Sequence, residues 1–309
     1  MRKSTGLWCA VMLALCVQGV WGEPPKMTII SNQPVASPET IESNKAVLQK
    51  DPQNFDAAEN LCGAYGSSDP QQALDYCSKA ISLKPEQPSP YYNIGTALML
   101  LGSNEKAVTY LEKSITLTDA KNPYLSIEYA NICMARLNLK QTDSAIEDCQ
   151  KALQLDPDSK LAHGNLGIGY THKGMYQEAL TEFQKDMALN PDTPSTSYTN
   201  IGYIYIQLKQ YQQAVNTLQK AIEQDPKNIV GQYNLGIAYL DLKDYPNAIS
   251  HLEKTLQLDP NYHIAHYHLG LSYCYNHQSA KAKYEYQQLL KSDSQNTNQM
   301  KAMLDQYCS

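Results

Sequence analysis

Residues 229–262 read IVGQYNLGIAYLDLKDYPNAISHLEKTLQLDPNY. Within them Leu235-Gly236-x-x-Tyr239 is followed by Ala248 and then by Leu258-Asp259-Pro260. That order of landmarks recurs. Leu-Asp-Pro, Asn-Pro, Gln-Asp-Pro and Leu-Asp-Pro end at Pro157, Pro191, Pro226 and Pro260, at intervals of 34, 35 and 34. Upstream, Pro52 and Pro85 lie 33 apart, and the 72 residues from Pro85 to Pro157 hold two periods and a four-residue insertion near Lys121-Asn122-Pro123. A period of ~34 residues is that of a helix-turn-helix repeat. Proline closes each segment because it cannot continue a helix and holds the preceding residue out of the helical region.

With each closing proline counted as repeat position 32, positions 7, 8 and 11 hold Leu166-Gly167-Tyr170, Ile201-Gly202-Tyr205, Leu235-Gly236-Tyr239 and Leu269-Gly270-Tyr273. Position 20 is alanine throughout: Ala73, Ala107, Ala145, Ala179, Ala214, Ala248 and Ala282. On these residues the chain resembles the tetratricopeptide-repeat family across roughly residues 54–294. The resemblance implies an all-α, right-handed α-solenoid of about six to seven repeats, in which neighbours bury faces that none could bury alone. Departures are Asp186 where the family has alanine, Tyr, His or Gln in the usual Trp slot at position 4, and a first repeat whose turn is one residue short. Ser37-Pro38-Glu39 supplies an N-cap, a first-turn proline and an acid, predicting a capping helix over 38–50 within a segment 37–53. Met303-Leu304-Tyr307 predicts a closing helix within 295–309, and Pro24, Pro25 and Pro34 make 23–36 an extended linker.

The N-terminus reads as a secretory signal over residues 1–22: Arg2 and Lys3, an apolar run from Leu7 to Val17, and small residues before a start at Glu23. The run is too short for a membrane span, which takes about 20 apolar residues. Leu13-Ala14-Leu15-Cys16 resembles a bacterial lipobox, but Leu15 stands where a small residue belongs, so a lipid anchor at Cys16 is the lesser alternative. Without that segment the chain holds 23 Lys and Arg against 31 Asp and Glu, a charge of −8, which argues against a nucleic-acid partner. Its 23 tyrosines against 2 Phe and 2 Trp suit half-buried contact faces. The expected location is outside the cytoplasm, periplasmic or secreted, where disulfides persist.

Four cysteines occupy the same two slots in two repeats: Cys62 with Cys77 and Cys133 with Cys149, at positions 8 and 24. In an antiparallel helix pair turning near position 16, positions summing to about 32 face each other. Elsewhere position 8 is glycine and position 24 is not cysteine, as in Gly167 with Phe183 and Gly236 with Leu252. Two disulfides are expected on this pattern; buried free thiols filling the same volume are the competing account. Cys274 and Cys308 both stand at position 12, where equivalent atoms of successive helices are normally too far apart to bond, and their pairing stays open.

No HExxH, G-x-S-x-G, P-loop or CxxC occurs, so no catalytic residue and no cofactor is expected. His263, His266, His268, Cys274 and His277 cluster in the last repeat, but at ~100° per residue only a two-ligand metal site is natural there, and packing or solvent-facing histidine is the plainer account. Positions 2, 5, 6, 9 and 13 of each first helix lie opposite its core positions, and in the family they line the concave groove. Position 6 carries Asn60, Asn93, Asn131, Asn165, Asn200 and Asn234, ending in His268. Such a ladder of amides suits the backbone of an extended protein or peptide partner, or else hydrogen bonds between repeats. Around it stand Tyr92, Ile127, Met134, Leu161, Ile168, Tyr203, Tyr233, Ile237, Tyr267 and Tyr275. The family's clamp for acidic C-terminal tails needs Lys and Arg on this face, and the one arginine beyond the signal, Arg136, is at position 11. The expected function is a non-catalytic binding scaffold or assembly factor of a bacterial envelope. A secreted effector acting on host proteins and a metal-dependent activity in the last repeat are the alternatives.

Overall fold

The computed structural model describes residues 37–189 and 194–291, together with residues 301, 302, 304, 305 and 308. The signal segment, the linker, Pro191, Met303 and Tyr307 lie outside the described residues. Fifteen helices and no strand are found among the described residues. They fall into two compact units divided between Met175 and Tyr176.

The first unit holds α1 (Pro38–Lys50), α2 (Phe55–Tyr65), α3 (Pro70–Leu83), α4 (Pro88–Leu100), α5 (Asn104–Leu117), α6 (Leu125–Asn138), α7 (Thr142–Leu155) and α8 (Lys160–His172). The second holds α9 (Tyr176–Leu189), α10 (Pro194–Gln207), α11 (Tyr211–Gln224), α12 (Ile229–Asp241), α13 (Tyr245–Leu258), α14 (His263–Tyr275) and α15 (Ser279–Leu289). Each unit is a stack of antiparallel helix pairs, the arrangement of an α-solenoid. Neighbouring first helices also touch directly, α2 to α4 to α6 to α8 in one unit and α10 to α12 to α14 in the other, so the inner side of each stack is made of first helices.

The Asp-Pro dipeptides act twice. Before proline the helical region is disfavoured, and Asp156, Asp225 and Asp259 accordingly end their helices with ψ of 97, 94 and 98°. Their carboxylates then accept the backbone N–H two residues on, at 3.1 Å from Asp158, 2.9 Å from Lys227 and 2.9 Å from Asn261, which shapes the turn into the next repeat. Asn54, Asp69, Asn228 and Asp244 start the helices that follow them by accepting the N–H three residues on. Within a repeat the turn is left-handed, with Lys140, Lys209, Lys243 and His277 at φ of 60, 60, 63 and 58° and glycine at Gly102 and Gly174. The residue after each lysine or histidine returns its N–H to the carbonyl five residues back, as Asp244 does to Tyr239 at 2.9 Å.

Positions 8 and 24 meet. A methyl group built on Gly95 would lie 2.5 Å from Cγ of Leu111, on Gly202 2.4 Å from Cγ of Leu218, and on Gly236 2.7 Å from Cγ of Leu252. Where both slots are cysteine, the sulfurs stand 2.06 Å apart in Cys62–Cys77 and 2.07 Å apart in Cys133–Cys149. Cys274 and Cys308 are at bonding distance as well, with Cα atoms 5.3 Å apart, and Cys308 and Leu304 join the core of the second unit. Gly202→Ala is expected to lose up to about 2 kcal/mol, because overpacking at about 1–3 kcal/mol is set against the ~1 kcal/mol gained in helix propensity. A urea-melt cycle with Leu218→Ala should show coupling of at least about 1 kcal/mol. Additive losses would mean that the slot is not tight.

Candidate functional site

Asn60, Asn131 and Asn165 of the amide ladder bond the preceding repeat, whereas Nδ2 of Asn93 is buried without a hydrogen-bond partner among the described residues. Asn131 and Asn165 are each 2 % exposed, Asn234 is 3 % and Asn93 is 8 %. The Asn165 amide donates to the Ala130 carbonyl at 3.0 Å, and Asn131 donates to the Tyr92 hydroxyl at 3.1 Å, in each case reaching the preceding first helix. Asn60 likewise reaches Asn44 on α1 at 3.3 Å. His268, at the same position, is buried with Nδ1 3.1 Å from the Tyr233 hydroxyl, and burial pushes its pKa down to about 4. Position 6 therefore lies on the flank turned toward the preceding repeat. The structure places Asn93, Asn131, Asn165 and Asn234 buried on that flank, while Asn200 is half-buried. A buried amide at a fixed repeat position needs a partner one period away. That requirement was the available signal.

The aromatic expectation divides. Tyr233 and Ile237 are buried, while Tyr92, Tyr203, Tyr267 and Tyr275 are half-buried on first helices. Burial also pushes the Tyr92 hydroxyl up to about 12, against the hydrogen bond from Asn131. Tyr275 stacks on Tyr245 at 5.5 Å, and Tyr267 meets His268 edge-on at 5.1 Å. In the first unit, Ile127, Met134, Leu161 and Ile168 are half-buried on α6 and α8. What is left to a partner on each inner face is thus mainly apolar and phenolic contact area, with Asn200 and Asp241 among it in the second unit.

Three members of the last-repeat cluster are engaged with other side chains. Cys274 is engaged with Cys308, His266 lies 2.6 Å from Glu285, and His268 faces Tyr233. Among the described residues, no three His, Cys, Asp or Glu side chains converge as metal ligands. None of the described helices is long and apolar enough to cross a membrane.

Tetratricopeptide-repeat family models match residues 88–120, 126–159 and 229–262, and a TPR-repeat model matches 202–243. Sperm-associated antigen 1 of Mus musculus is 33% identical over 98 residues, 32% of this chain and 10% of its own length. Tetratricopeptide repeat protein 6 of Homo sapiens is 30% identical over 159 residues, 51% of this chain and 29% of its own. The chain thus spans less than a third of either relative. The crystal structure of the APC/C hetero-tetramer Cut9-Hcn1 superposes with a TM-score of 0.66 at 18% identity, over 87% of this chain and 49% of the other, a likeness of fold alone.

Proposed function

Because the chain is a tetratricopeptide-repeat protein, the kind of repeat array that serves as a protein-interaction scaffold, we propose that it is a non-catalytic binding scaffold of a bacterial envelope that holds a partner segment against its first helices. The observation that carries this reading is the inner face itself. Within each unit successive first helices contact one another, leaving Ile127, Met134, Leu161 and Ile168 half-buried in the first and Tyr203, Tyr267 and Tyr275 in the second. Amphipathic tyrosine suits a surface that is wet when free and dry when bound. Export is supported by the form of residues 1–22 and by cysteines paired at bonding distance, which suit an oxidising compartment. The absence of nucleophile, P-loop and metal-ligand patterns supports binding without catalysis.

The test is a photo-crosslinking amino acid placed in living cells at Met134, Ile168 or Tyr203, with Leu155 and Tyr284, exposed on second helices, as controls. Discrete adducts from the first set alone are expected. Adducts from the controls alone would move the binding surface to the second helices and overturn the reading.

A further inference from the structure

On positions 2, 5, 6, 9 and 13 of α10, α12 and α14 stand Thr, Tyr, Asn, Gln, Val, Ile, Leu and His, and one charged side chain, Asp241. The histidine of this set, His268, is fully buried and neutral at ordinary pH. Asp241 is poorly placed for a protein with no partner. It is the last residue of α12, where the negative end of the helix dipole disfavours a carboxylate. It is half-buried, and among the described residues no hydrogen bond engages its side chain. Burial pushes its pKa up to about 6, and the charge of Lys209 at the turn after α10 offsets only part of that. A residue that breaks local rules and is only partly compensated in the free protein marks a position kept for another purpose.

Its surroundings narrow that purpose. Ile237 lies one turn before it on α12, Gln207 and Tyr275 hold the same position on α10 and α14, and the Tyr275 ring is stacked on Tyr245. The carboxylate is therefore the single anion on a face of aliphatic and phenolic groups. An acidic segment would meet like charge there, and a neutral one would leave the carboxylate desolvated and unpaired. A Lys or Arg side chain supplies the counter-charge that Lys209 provides only in part, and lays its methylene stem or guanidinium plane on tyrosine.

Resting on the reading that the inner face binds a partner, we propose that the second unit takes an extended protein segment carrying one Lys or Arg, flanked by aromatic or aliphatic residues, with its cation against Asp241. The selectivity is opposite in sign to that of a clamp for acidic tails.

The experiment pans random dodecapeptides displayed on phage against the full-length protein, and against its Asp241→Asn and Asp241→Arg variants once circular dichroism melting shows them folded. Peptides enriched on the unaltered protein should share one Lys or Arg beside apolar residues. By fluorescence polarisation their affinity should fall about tenfold or more with Asp241→Asn, and equally when the peptide cation becomes norleucine, with no further loss when both changes are combined. Selection on Asp241→Arg should turn to Asp or Glu. Peptides that enrich and are lost on Tyr203→Ser and Tyr275→Ser, but show no basic preference and ignore Asp241→Asn, would overturn this inference while leaving the inner-face reading intact. No enrichment, or enrichment indifferent to those tyrosines, would overturn both.

Discussion

Arg136→Ala is expected to lower the unfolding free energy by about 3–5 kcal/mol, the scale of a broken buried ion pair. Arg136, near the end of α6, bonds the carboxylates of Asp148 on α7 and Glu112 on α5. The two partners do not count equally. The Glu112 side chain is 51% exposed, and such pairs contribute about 0–1 kcal/mol, whereas Asp148 is 3% exposed. Without the arginine, Asp148 keeps only Lys151, whose Nζ is 3.5 Å from its other oxygen and itself half exposed. The loss is therefore the cost of an uncompensated buried charge, not the net worth of the bridge. Arg136→Met with Asp148→Leu should accordingly recover most of it, because an apolar pair of similar volume is often as stable as the ionic one. Urea melts of the single and double variants decide the point. A single variant within about 0.5 kcal/mol of the parent would show that Asp148 finds water or Lys151 at no cost.

Losing the two disulfides of the first unit should have an effect of similar size. The bonds Cys62–Cys77 and Cys133–Cys149 close loops of 15 and 16 residues. Each loop is worth about 3 kcal/mol of chain entropy, so losing both should cost about 6 kcal/mol. Packing and cross-linking can be separated by borrowing the other repeats' solution. Cys133→Gly with Cys149→Leu restores the small-plus-large pair seen at Gly202 with Leu218, so it should lose only that loop's contribution, and its response to reductant should shrink by the same amount. If the parent protein melts identically with and without dithiothreitol, the cysteines act as packing alone. Intact mass of protein from its own cells, before and after reduction, reads the same question at about 2 Da per bond. It also reports whether the chain starts at Glu23 or at an acylated Cys16, so it tests export as well.

How far residues could be read before the fold was known depended on where their partners lie. The facing of positions 8 and 24 was legible because both belong to one helix pair, and the contacts of Gly95, Gly202 and Gly236 follow that arithmetic. Asp-Pro as a stop was legible because it acts on its own backbone. The role of Arg136 was not. It stood out as the one arginine beyond the signal, but its partners are 24 and 12 residues away on two other helices. The ladder was legible, but which of its two uses each amide serves was not, for the same reason. Helix periodicity sorts positions into faces, but Asn165 reaches Ala130 across 35 residues, and no pattern within one repeat reveals which flank a neighbour will cover. Nothing in the linear pattern distinguishes Asp241. Its significance came from half-burial at a helix terminus, which the linear pattern does not carry.

The left-handed turns have a consequence for the history of such a chain. Lys140, Lys209, Lys243 and His277 hold a conformation that costs an L-residue about 1–2 kcal/mol and that Gly102 and Gly174 adopt freely. Four turns thus carry a penalty that one codon change each could relieve, without touching the core or the inner faces. Such turns are evolutionary headroom. A lineage that acquired a destabilising change on its binding face, in adapting to a new partner, had glycine at these corners available as the compensating step.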